Sequence, residues 1–365
     1  MRVTHLFEIC RPKQWATIAS KDLTVEGYPV YGANGKIGFF HKYNHDKPTV
    51  LITCRGATCG TINISEPYAY INGNAMALDD MDETQADLNY VARYLSYRGL
   101  EDVISGSAQP QITRDGLKNL TIPLPPLPEQ RRIAAVLDKS DVLRTKRREA
   151  ITKLDQLLQS VFLEMFGDPV TNPKGWPIVA LSTYGSVATG NTPSRSVLEN
   201  YGTGIEWIKS DNLNTPHDYV TQADEQLSET GERTARVVSA GSVLVTCIAG
   251  SLSCIGNLAI ADRRVAFNQQ INAITPYSTP PEFLYFLLKT SKPLIQSAST
   301  NGMKGMVNKS KFSGIQLPAP PTELQREFSR IFLKMHKHRL LADAALVKQD
   351  ALFAGLQQRA FEGTL

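Results

Sequence analysis

Two long stretches of the chain repeat apolar side chains at intervals of four and three residues, the spacing of a heptad seam on one helix face. Both are rich in Ala, Leu, Gln, Lys and Arg, which favour helix. At about 1.5 Å per residue, each helix would be roughly 55–60 Å long. The seam is apolar at its ends and more polar in its middle. Its predicted apolar residues are Ile133, Leu137, Ile151, Leu154, Leu158 and Val161 in the first stretch, and Phe328, Phe332, Leu346, Phe353 and Leu356 in the second.

The two stretches are copies of one another. LTIPLPPLPEQR (120–131) recurs as IQLPAPPTELQR (315–326) at an offset of 195 residues, and the register then holds without a gap to Phe166 and Phe361. The intervening segment, 168–320, leaves the C-terminal end of the first helix and returns at the N-terminal start of the second. An antiparallel pair places those two points side by side, whereas a parallel pair would require the segment to span a whole helix. The sequence therefore predicts antiparallel helices.

The remaining segments are dense in short β-type runs broken by Gly, Asn and Pro, such as YPVYGANGKIGFF and SVLVTCIA. They repeat each other weakly, since INGNAMAL resembles FNQQINAI and CRGATCG resembles CIAGSLSCIG. We therefore expect an α/β (α+β) protein with a pseudo-twofold internal repeat, in which two long antiparallel coiled-coil helices separate two mixed α/β bodies with curved sheets. The predicted bodies are 1–127 and 168–320, and the predicted helices are 128–167 and 321–365.

Composition and charge narrow the possible classes of protein. With 42% hydrophobic and 20% charged residues, the chain is neither disordered nor collagenous. No apolar run approaches the ~18 residues of a membrane span, and MRVTHLFEICRPKQW lacks the apolar core of a signal peptide. Together with only five cysteines, these features predict a cytoplasmic protein with no membrane partner. The net charge of +4 divides into −1, +2, +1 and +2 along the four predicted segments, too little for undirected phosphate attraction to dominate binding.

The sequence carries no motif of a familiar catalytic class. GxxxxGK[ST], GxGxxG and HExxH are missing, and so is the Pro-Pro-aromatic tetrapeptide of adenine methyltransferases. The six histidines form no plausible metal set with the cysteines, and Cys54, Cys59, Cys247 and Cys254 fit buried thiols better than zinc ligands. We therefore expect no catalysis, no cofactor and no metal in this chain.

Polar loops in both bodies carry the side chains that recognise base edges as donor–acceptor pairs. Ordinary solvated turns are the alternative, because Asn-Gly and Gly-Ala-Asn-Gly are turn sequences. Asn74 and Trp207 fit the framework better than base recognition. The candidate DNA-binding residues are Arg11, Lys13, Gln14, Tyr31, Asn34, Lys36, Arg55, Thr58 and Arg114 in the first body, and Asn191, Ser194, Arg195, Lys209, Ser210, Asn212, Gln269, Lys304 and Lys309 in the second.

A basic run, RTKRR (144–148), lies in the middle of the first predicted helix. A solvated helix face and contact with the phosphates of a DNA spacer are both compatible with it. Arg144 and Arg147 also fall on the predicted seam, where polar residues can fix the register between two helices. The sequence leaves these three interpretations open.

These residues together resemble the specificity subunit of a type I restriction–modification system, over essentially the whole chain. The resemblance rests on LPPLPEQRRIAAVLD, KLDQLLQSVFLEMFGDP and YPVYGANGKIG, and on GNTPSR with IEWIKSDNL. The second helix entry, LPAPPTELQREF, departs from the family pattern by losing the Pro-Glu-Gln order.

The resemblance implies two target-recognition domains that each recognise one half of a split, asymmetric sequence in double-stranded DNA. It implies that the helices act as a ruler between the halves and dock two methyltransferase subunits. Those partners would bind S-adenosylmethionine and methylate adenine at N6, and a translocating endonuclease subunit would join for cleavage. Two other hypotheses are an enzyme of another class and a coiled-coil adaptor that ignores nucleic acid. Because both bodies are nearly neutral, we expect weak and poorly specific DNA binding by the isolated chain.

Overall fold

The structure is a computed structural model that describes residues 2–33, 35–106, 109–300 and 305–365. Its internal contacts divide the chain into two compact units. The first unit comprises Met1–Glu149 and Ala344–Leu365, and the second comprises Ala150–Asp343. Both long helices cross from one unit to the other, so each unit contains a segment of both.

The described residues of the first unit form nine strands, in sheets of four, three and two. β2, β8, β5 and β6 form an antiparallel sheet in that order, β3 pairs with β4 and in parallel with β7, and β1 pairs with β9. The strands are β1 (Arg2–His5), β2 (Arg11–Gln14), β3 (Tyr28–Gly32), β4 (Gly35–Phe40), β5 (Val50–Thr53), β6 (Ile62–Ile64), β7 (Tyr70–Ile71), β8 (Ala75–Asp79) and β9 (Thr121–Leu124). The helices are α1 (Leu6–Ile9), α2 (Leu88–Arg98) and α3 (Leu127–Phe166), with 3-10 turns at Ser20–Asp22, Glu101–Val103 and Asp115–Leu117.

Apart from residues 301–304, which lie outside the described ranges, the second unit forms two four-stranded sheets and two strand pairs. One sheet has the order β11-β19-β15-β17 and the other β13-β12-β18-β14, and β10 pairs with β21 and β16 with β20. The strands are β10 (Ile178–Ala180), β11 (Gly185–Thr189), β12 (Tyr201–Ile208), β13 (Gln226–Leu227), β14 (Val237–Val238), β15 (Val243–Thr246), β16 (Ile248–Ala249), β17 (Leu258–Ile260), β18 (Val265–Phe267), β19 (Ile271–Pro276), β20 (Gly305–Met306) and β21 (Gln316–Pro318). The helices are α4 (Glu229–Thr234), α5 (Pro281–Thr290), α6 (Lys292–Ser297), α7 (Lys309–Ser313) and α8 (Thr322–Phe361), with 3-10 turns at Leu181–Thr183, Leu198–Asn200, Ser210–Asn212 and Leu252–Cys254.

The strand pairings of the two units repeat each other. The antiparallel order β2-β8-β5-β6 in the first unit corresponds to β11-β19-β15-β17 in the second. In each unit a second sheet contains one parallel pair, which aligns Tyr31 with Ile71 and Ile208 with Phe267. The predicted fold class is therefore confirmed: two mixed α/β bodies and a pair of long helices, related by an internal repeat.

The repeat also fixes where the long helices begin and end. α3 and α8 are each 40 residues long, and both ends of α8 lie 195 residues after those of α3. In the first turns, Gln130 donates from Nε2 to the Pro125 carbonyl at 2.9 Å, and Gln325 donates to the Pro320 carbonyl at 2.8 Å. Both glutamines are buried, so these bonds hold the proline-rich entry of each helix in one conformation.

Within each unit the two helix segments run antiparallel, and the same ion pair occurs in both. In the first unit Arg144 Nε lies 2.6 Å from Asp350 Oδ1, and the guanidinium stacks over the Phe353 ring at 4.1 Å. In the second unit Arg339 Nη1 lies 3.0 Å from Asp155 Oδ1. Because Arg144 and Arg339 are 195 residues apart, and Asp155 and Asp350 likewise, these are two copies of one interaction. Arg144 thus contributes to the register between the helix segments.

The seam is buried at both of its ends, at equivalent positions of the repeat, and half-buried toward its middle. The residues buried in the cores of the units are Ile133, Leu137 and Phe353 in the first, and Leu158, Phe328 and Phe332 in the second. Leu356 and Val161 pack against those cores while partly exposed. The half-buried residues Ile151, Leu154 and Leu346 lie toward the polar middle. The spacing did not single out Phe162 and Phe166, which lie one helical position away and are buried in the second core.

Replacing Arg339 with alanine is expected to destabilise the second unit by about 2–3 kcal/mol. Its guanidinium bonds Asp155 and the Pro216 carbonyl, and lies 3.6 Å from Asp218, whose side chain is only 6% exposed. Burial acts to raise the pKa of Asp218, but Lys289, Tyr285 and Arg339 outweigh it and lower that pKa. Denaturant unfolding of Arg339→Ala would measure the loss. The exposed Lys337 on the same helix is the matched control, and an equal effect of Lys337→Ala would contradict this account.

Candidate nucleic-acid interface

Each unit ends an inner strand of its antiparallel sheet in a turn with the same backbone hydrogen bonds. In the first unit, the Gly60 amide donates to the Thr53 carbonyl and the Thr53 amide donates to Thr61, both at 2.8 Å. In the second unit, the Gly256 amide donates to the Thr246 carbonyl at 2.9 Å. The Thr246 amide in turn donates to the carbonyl of Asn257 at 2.8 Å. Thr53 and Thr246 therefore occupy equivalent positions at the end of β5 and β15.

A second repeated contact brings another loop to the same place. The Cys54 amide donates to the Asn74 carbonyl at 3.0 Å, and the Cys247 amide donates to the Gln270 carbonyl at 2.8 Å. Asn74 thus has a backbone role in holding these loops together. The repeat gives both units one scaffold that collects loops at the same strand ends, where different side chains can be displayed.

Three candidate segments of the first unit meet at this scaffold. Gln14 donates from Nε2 to Cys54 Sγ at 2.9 Å and to the Gly73 carbonyl at 3.2 Å. The hydroxyls of Thr53 and Thr58 both donate to the Ala33 carbonyl, at 3.0 and 2.8 Å. The end of β2, the turn after β3 and the turn after β5 are therefore held against one another.

Glu66 binds two further candidates of the first unit. Lys36 Nζ lies 3.1 Å from Glu66 Oε1, and the Tyr31 hydroxyl donates to the same oxygen at 3.3 Å. Burial raises the pKa of Tyr31, so this hydroxyl stays protonated as a donor. Glu66 is a carboxylate among the candidate residues, and sequence analysis did not indicate it because it lies 30 residues from Lys36.

The other candidates of the first unit lie at its surface with separate partners. Arg11 is at the opposite end of β2 from Gln14 and faces Asp80 at 3.7 Å. The exposed Lys13 ammonium lies over the Trp15 ring at 3.7 Å. The remaining candidates are the exposed Arg55, which bridges Gln111 by backbone, Arg114, which lies over the Phe7 ring, and Asn34, which lies outside the described residues.

The strongest cluster in the second unit gathers Arg195 and Lys209 around Glu225. Arg195 binds both oxygens of that carboxylate, and Lys209 Nζ lies 2.6 Å from Oε2. The Arg195 guanidinium also stacks over Tyr201 at 4.2 Å, and Lys209 lies over the Trp207 ring at 5.1 Å. Trp207 itself is buried, so it forms the floor of the cluster. The exposed Arg195 and the half-buried Lys209 are thus held in fixed positions above aromatic rings.

Glu225 is expected to make the stability of the second unit fall in acid. The Arg195 hydrogen bond is the main cause that lowers the pKa of Glu225 to about 2 from its usual 4.5. A lowered pKa stabilises the fold above the unfolded-state value, and the contribution is lost as the pH falls from about 4.5 towards 2. The difference in unfolding free energy between the wild type and Glu225→Gln should shrink from pH 6 to pH 3. A difference that stays constant in denaturant titrations would contradict this, with exposed Glu229→Gln as the control.

Asn191 and Asn212 use their amides inside the second unit. Asn191 donates to the Thr234 carbonyl at 2.8 Å and accepts from the Arg236 amide at 2.6 Å. Asn212 accepts from the Lys209 amide at 3.0 Å and donates to Thr221 Oγ1 at 3.1 Å. These bonds shape the loops from which neighbouring side chains project, and base contact by either amide stays a prediction.

The last candidates of the second unit are less constrained. Ser210 Oγ donates to Gln270 Oε1 at 3.3 Å, and exposed Gln269 accepts a hydrogen bond from Thr192. The remaining candidates are Ser194, which contacts Ser196, Lys309, which is exposed in the first turn of α7, and Lys304, which lies outside the described residues.

The cysteines of the chain are free thiols. Cys54 and Cys247 are buried, and burial raises the pKa of both thiols, for Cys247 to about 12. Across residues 2–33, 35–106, 109–300 and 305–365, no group of three His, Cys, Asp or Glu side chains could hold a metal ion. None of the helices in the same ranges is long and apolar enough to cross a membrane.

The chain belongs to the family of type I restriction modification DNA specificity domains, whose model matches residues 1–153 and 173–341. The type I restriction enzyme HindI specificity subunit of Haemophilus influenzae is 33% identical over 172 residues, which are 44% of this chain and 36% of that protein. The MjaIX specificity subunit of Methanocaldococcus jannaschii is 28% identical over 44% of this chain and 37% of its own length. These alignments therefore span about a third of the curated relatives.

Two solved structures share the fold over nearly the whole chain. The S subunit of a type I restriction-modification system from M. genitalium superposes with a TM-score of 0.65 at 16% identity, covering 99% of this chain and 96% of that one. A chain from a structure on the assembly and conformational transition of the type I R-M system gives 0.57 at 18% identity, covering 100% and 98%. At these identities the likeness concerns the fold alone.

Proposed function

We propose that this chain is the non-catalytic subunit that gives a type I restriction–modification complex its DNA sequence specificity. Each α/β body recognises one half of a bipartite target in double-stranded DNA. The observation that carries the proposal is the duplicated scaffold, on which equivalent strand ends at Thr53 and Thr246 display different polar loops. One scaffold with two sets of loops is suited to recognising two unrelated short sequences.

The candidate DNA-binding residues supply the two kinds of contact that such recognition needs. Arg195 and Lys209 are cations for phosphates or guanine edges, and Gln269 and Ser210 offer donors and acceptors to bases. Arg195 and Lys209 already share Glu225, so DNA has to compete with that carboxylate. This competition, and the small net charge of each body, support weak binding by the isolated chain and tighter binding in the complex.

The helix pair supplies the spacing between the two half-targets in this proposal. Two continuous helices of 40 residues, each shared between the units, are stiff connections compared with a loop. Their register is fixed by Arg144 with Asp350 and by Arg339 with Asp155. A defined spacer between two short recognised sequences turns them into one long target.

The same helices provide a surface for partner subunits. Nine large aliphatic side chains on α3 and α8 are at least 38% exposed and so offer apolar area to partner subunits. We assign this surface to two methyltransferase subunits, which hold S-adenosylmethionine and methylate adenine at N6, and place the complex with its endonuclease subunits in the cytoplasm. The exposed residues are Val142, Leu143, Leu157, Leu163, Leu333, Leu340, Leu341, Val347 and Leu352.

The decisive experiment maps N6-methyladenine in the DNA of a host that expresses this chain with its cognate methyltransferase. A single bipartite target is expected. Replacing residues 1–127 with the body of another family member should then alter one half of the target and leave the other half and the spacer unchanged. Methylation without a shared sequence would overturn sequence recognition, and a change in both halves would overturn the assignment of one half to each body.

A further inference from the structure

A small cavity with both polar and apolar lining lies at the end of β15 in the second unit, beside the candidate segments 209–212 and 268–270. Its volume is about 190 Å³. The polar side chains that line it include Ser210, Asp211, Asn214, Thr246, Cys254 and Gln270.

Thr246 lines this cavity, and its buried hydroxyl has no hydrogen-bond partner among the described residues. The residue is 1% exposed, and within the described part of the chain its Oγ1 makes no hydrogen bond. Buried hydroxyls in folded proteins almost always find a partner. An orphaned donor on the wall of an open cavity therefore points to a ligand that supplies the missing partner.

The first unit shows what fills the equivalent space there. Thr53 and Thr58 both donate to the Ala33 carbonyl, which sits in the turn after β3. The repeated backbone hydrogen bonds make Thr246 the counterpart of Thr53. In the first unit the Thr61 amide donates to the Thr58 carbonyl, and in the second the Asn257 amide donates to the Cys254 carbonyl. Cys254 is therefore the counterpart of Thr58. The second unit thus retains the walls of the site.

The segments that follow the equivalent strands β3 and β12 differ, and this difference explains why the cavity is open in the second unit. β3 turns directly back as β4, and this hairpin carries the Ala33 carbonyl over Thr53. β12, the parallel-paired counterpart of β3, continues instead into the 3-10 turn Ser210–Asn212. In the described part of the second unit no carbonyl takes the place of Ala33.

The remaining wall groups offer two amide donors and one acceptor. Gln270 Oε1 accepts from Ser210 at 3.3 Å and from Asn268 at 3.1 Å, which directs its Nε2 donor elsewhere. Asn214 Oδ1 accepts from Asn257 Nδ2 at 2.9 Å, which likewise leaves Nδ2 of Asn214 as a donor. The Asp211 carboxylate is exposed and accepts hydrogen bonds only.

The size and the polarity of the cavity select one class of ligand. A cavity of about 150 Å³ holds a benzene ring, so this one fits a single substituted six-membered ring. The Watson–Crick edge of cytosine or thymine presents one donor and two acceptors, which the Asp211 carboxylate and two of the donors Thr246, Gln270 and Asn214 can satisfy. Guanine presents two donors and one acceptor, and adenine presents one of each on a two-ring body.

We propose that this cavity binds one pyrimidine base of the half-target recognised by the second unit, turned out of the helical stack, with Thr246 and Gln270 as its specificity determinants. The inference rests on the proposed DNA recognition. A ring can enter a cavity only after leaving its stack, and enzymes that flip bases recognise them through the same edge. Since Ala33 fills the equivalent space, only one half of the target contains such a base.

The test uses the chain assembled with its methyltransferase and the target found by methylation mapping. Each pyrimidine in the half-target of the second unit is replaced in turn by an abasic nucleotide, and Kd is measured for the wild type and Thr246→Val. At one position we expect the abasic duplex to bind the wild type about tenfold more weakly, and the penalty to shrink severalfold in Thr246→Val. Thr53→Val is the matched control and should leave that penalty unchanged. Gln270→Glu, which exchanges a donor for an acceptor, should reproduce the effect of Thr246→Val.

A 2-aminopurine next to that position reports whether the base leaves the stack, and its emission should rise severalfold on binding. If no position couples to Thr246, or if the emission stays unchanged, the cavity does not hold a base. Failure of the proposed function is a different result, because the wild-type complex would then bind and methylate DNA without any shared sequence.

Discussion

Removing one heptad from each long helix is expected to shorten the spacer of the methylated target by about three base pairs while both half-sequences stay the same. Seven residues shorten a helix by about 10.5 Å, and successive base pairs are about 3.4 Å apart. Seven residues make up two helical turns to within ~20°, so the residues after the deletion keep their apolar face toward the partner helix. Methylation mapping with the variant and its cognate methyltransferase measures the new spacer.

The ion pairs of the helices define which residues to remove. The variant lacks residues 146–152 and 342–348. On each helix the deleted segment lies between the arginine of one ion pair and the aspartate of the other, so both Arg144–Asp350 and Arg339–Asp155 are kept. Substituting the same segments at constant length with other helix-forming residues is the control, and it should leave the spacer unchanged. Methylation at the original spacing by the deletion variant would show that the helices do not set the distance.

The helix pair is the part of the molecule that the sequence predicted best, because its determinants are local and repeated. A constant offset of 195 residues predicts that Arg144 and Arg339 are equivalent. In the structure each pairs with an aspartate of the other long helix, Arg144 with Asp350 and Arg339 with Asp155. The antiparallel direction followed from the connection between the helices alone. Phe162 was missed because a four-and-three pattern marks one line of a helix face, whereas the core covers a wider stripe.

The sequence could not predict the roles of individual loop residues, because their hydrogen-bond partners are distant along the chain. Asn191 bonds the backbone at Thr234 and Arg236, and Asn212 bonds Thr221, so both amides hold loops in place, and base contact by either stays a prediction. The sequence alignment of the two bodies is also one residue out of register at the second cysteine. CRGATCG and CIAGSLSCIG suggested that Cys59 matches Cys254, whereas the backbone hydrogen bonds match Cys254 with Thr58.

This shift of one residue has consequences for how the two bodies differ. In the first unit the hydroxyls of Thr58 and Thr53 both donate to the Ala33 carbonyl, so the turn between β3 and β4 is held by two hydrogen bonds. In the second unit Cys254 cannot replace that strong donor, and the chain after β12 takes another path. The scaffold is therefore conserved between the repeats, while the loops it carries diverge through single side chains.

Truncating Phe162 is expected to have the largest effect on stability, a loss of about 3–5 kcal/mol from the second unit. Its ring is fully buried, with centroid distances of 5.0 Å to Phe286 and 5.2 Å to Phe328. It therefore joins α3, α5 and α8 in one aromatic cluster, and an alanine would leave a cavity bordered by three helices. Denaturant unfolding of Phe162→Ala measures the loss, and hydrogen exchange of the α5 amides should accelerate with it.

Leu157 is the matched control, because it lies on the same helix in the same unit but is 53% exposed. Leu157→Ala should change the unfolding free energy by no more than about 0.5 kcal/mol. Phe162→Leu, which keeps most of the volume, should fall between the two variants. If Phe162→Ala and Leu157→Ala cost the same, the packing of α3 against α5 and α8 does not stabilise the second unit. A selective loss at Phe162 would establish that the second body is held to both long helices by this cluster, so that the segment of the helix pair within this unit folds together with the body it supports.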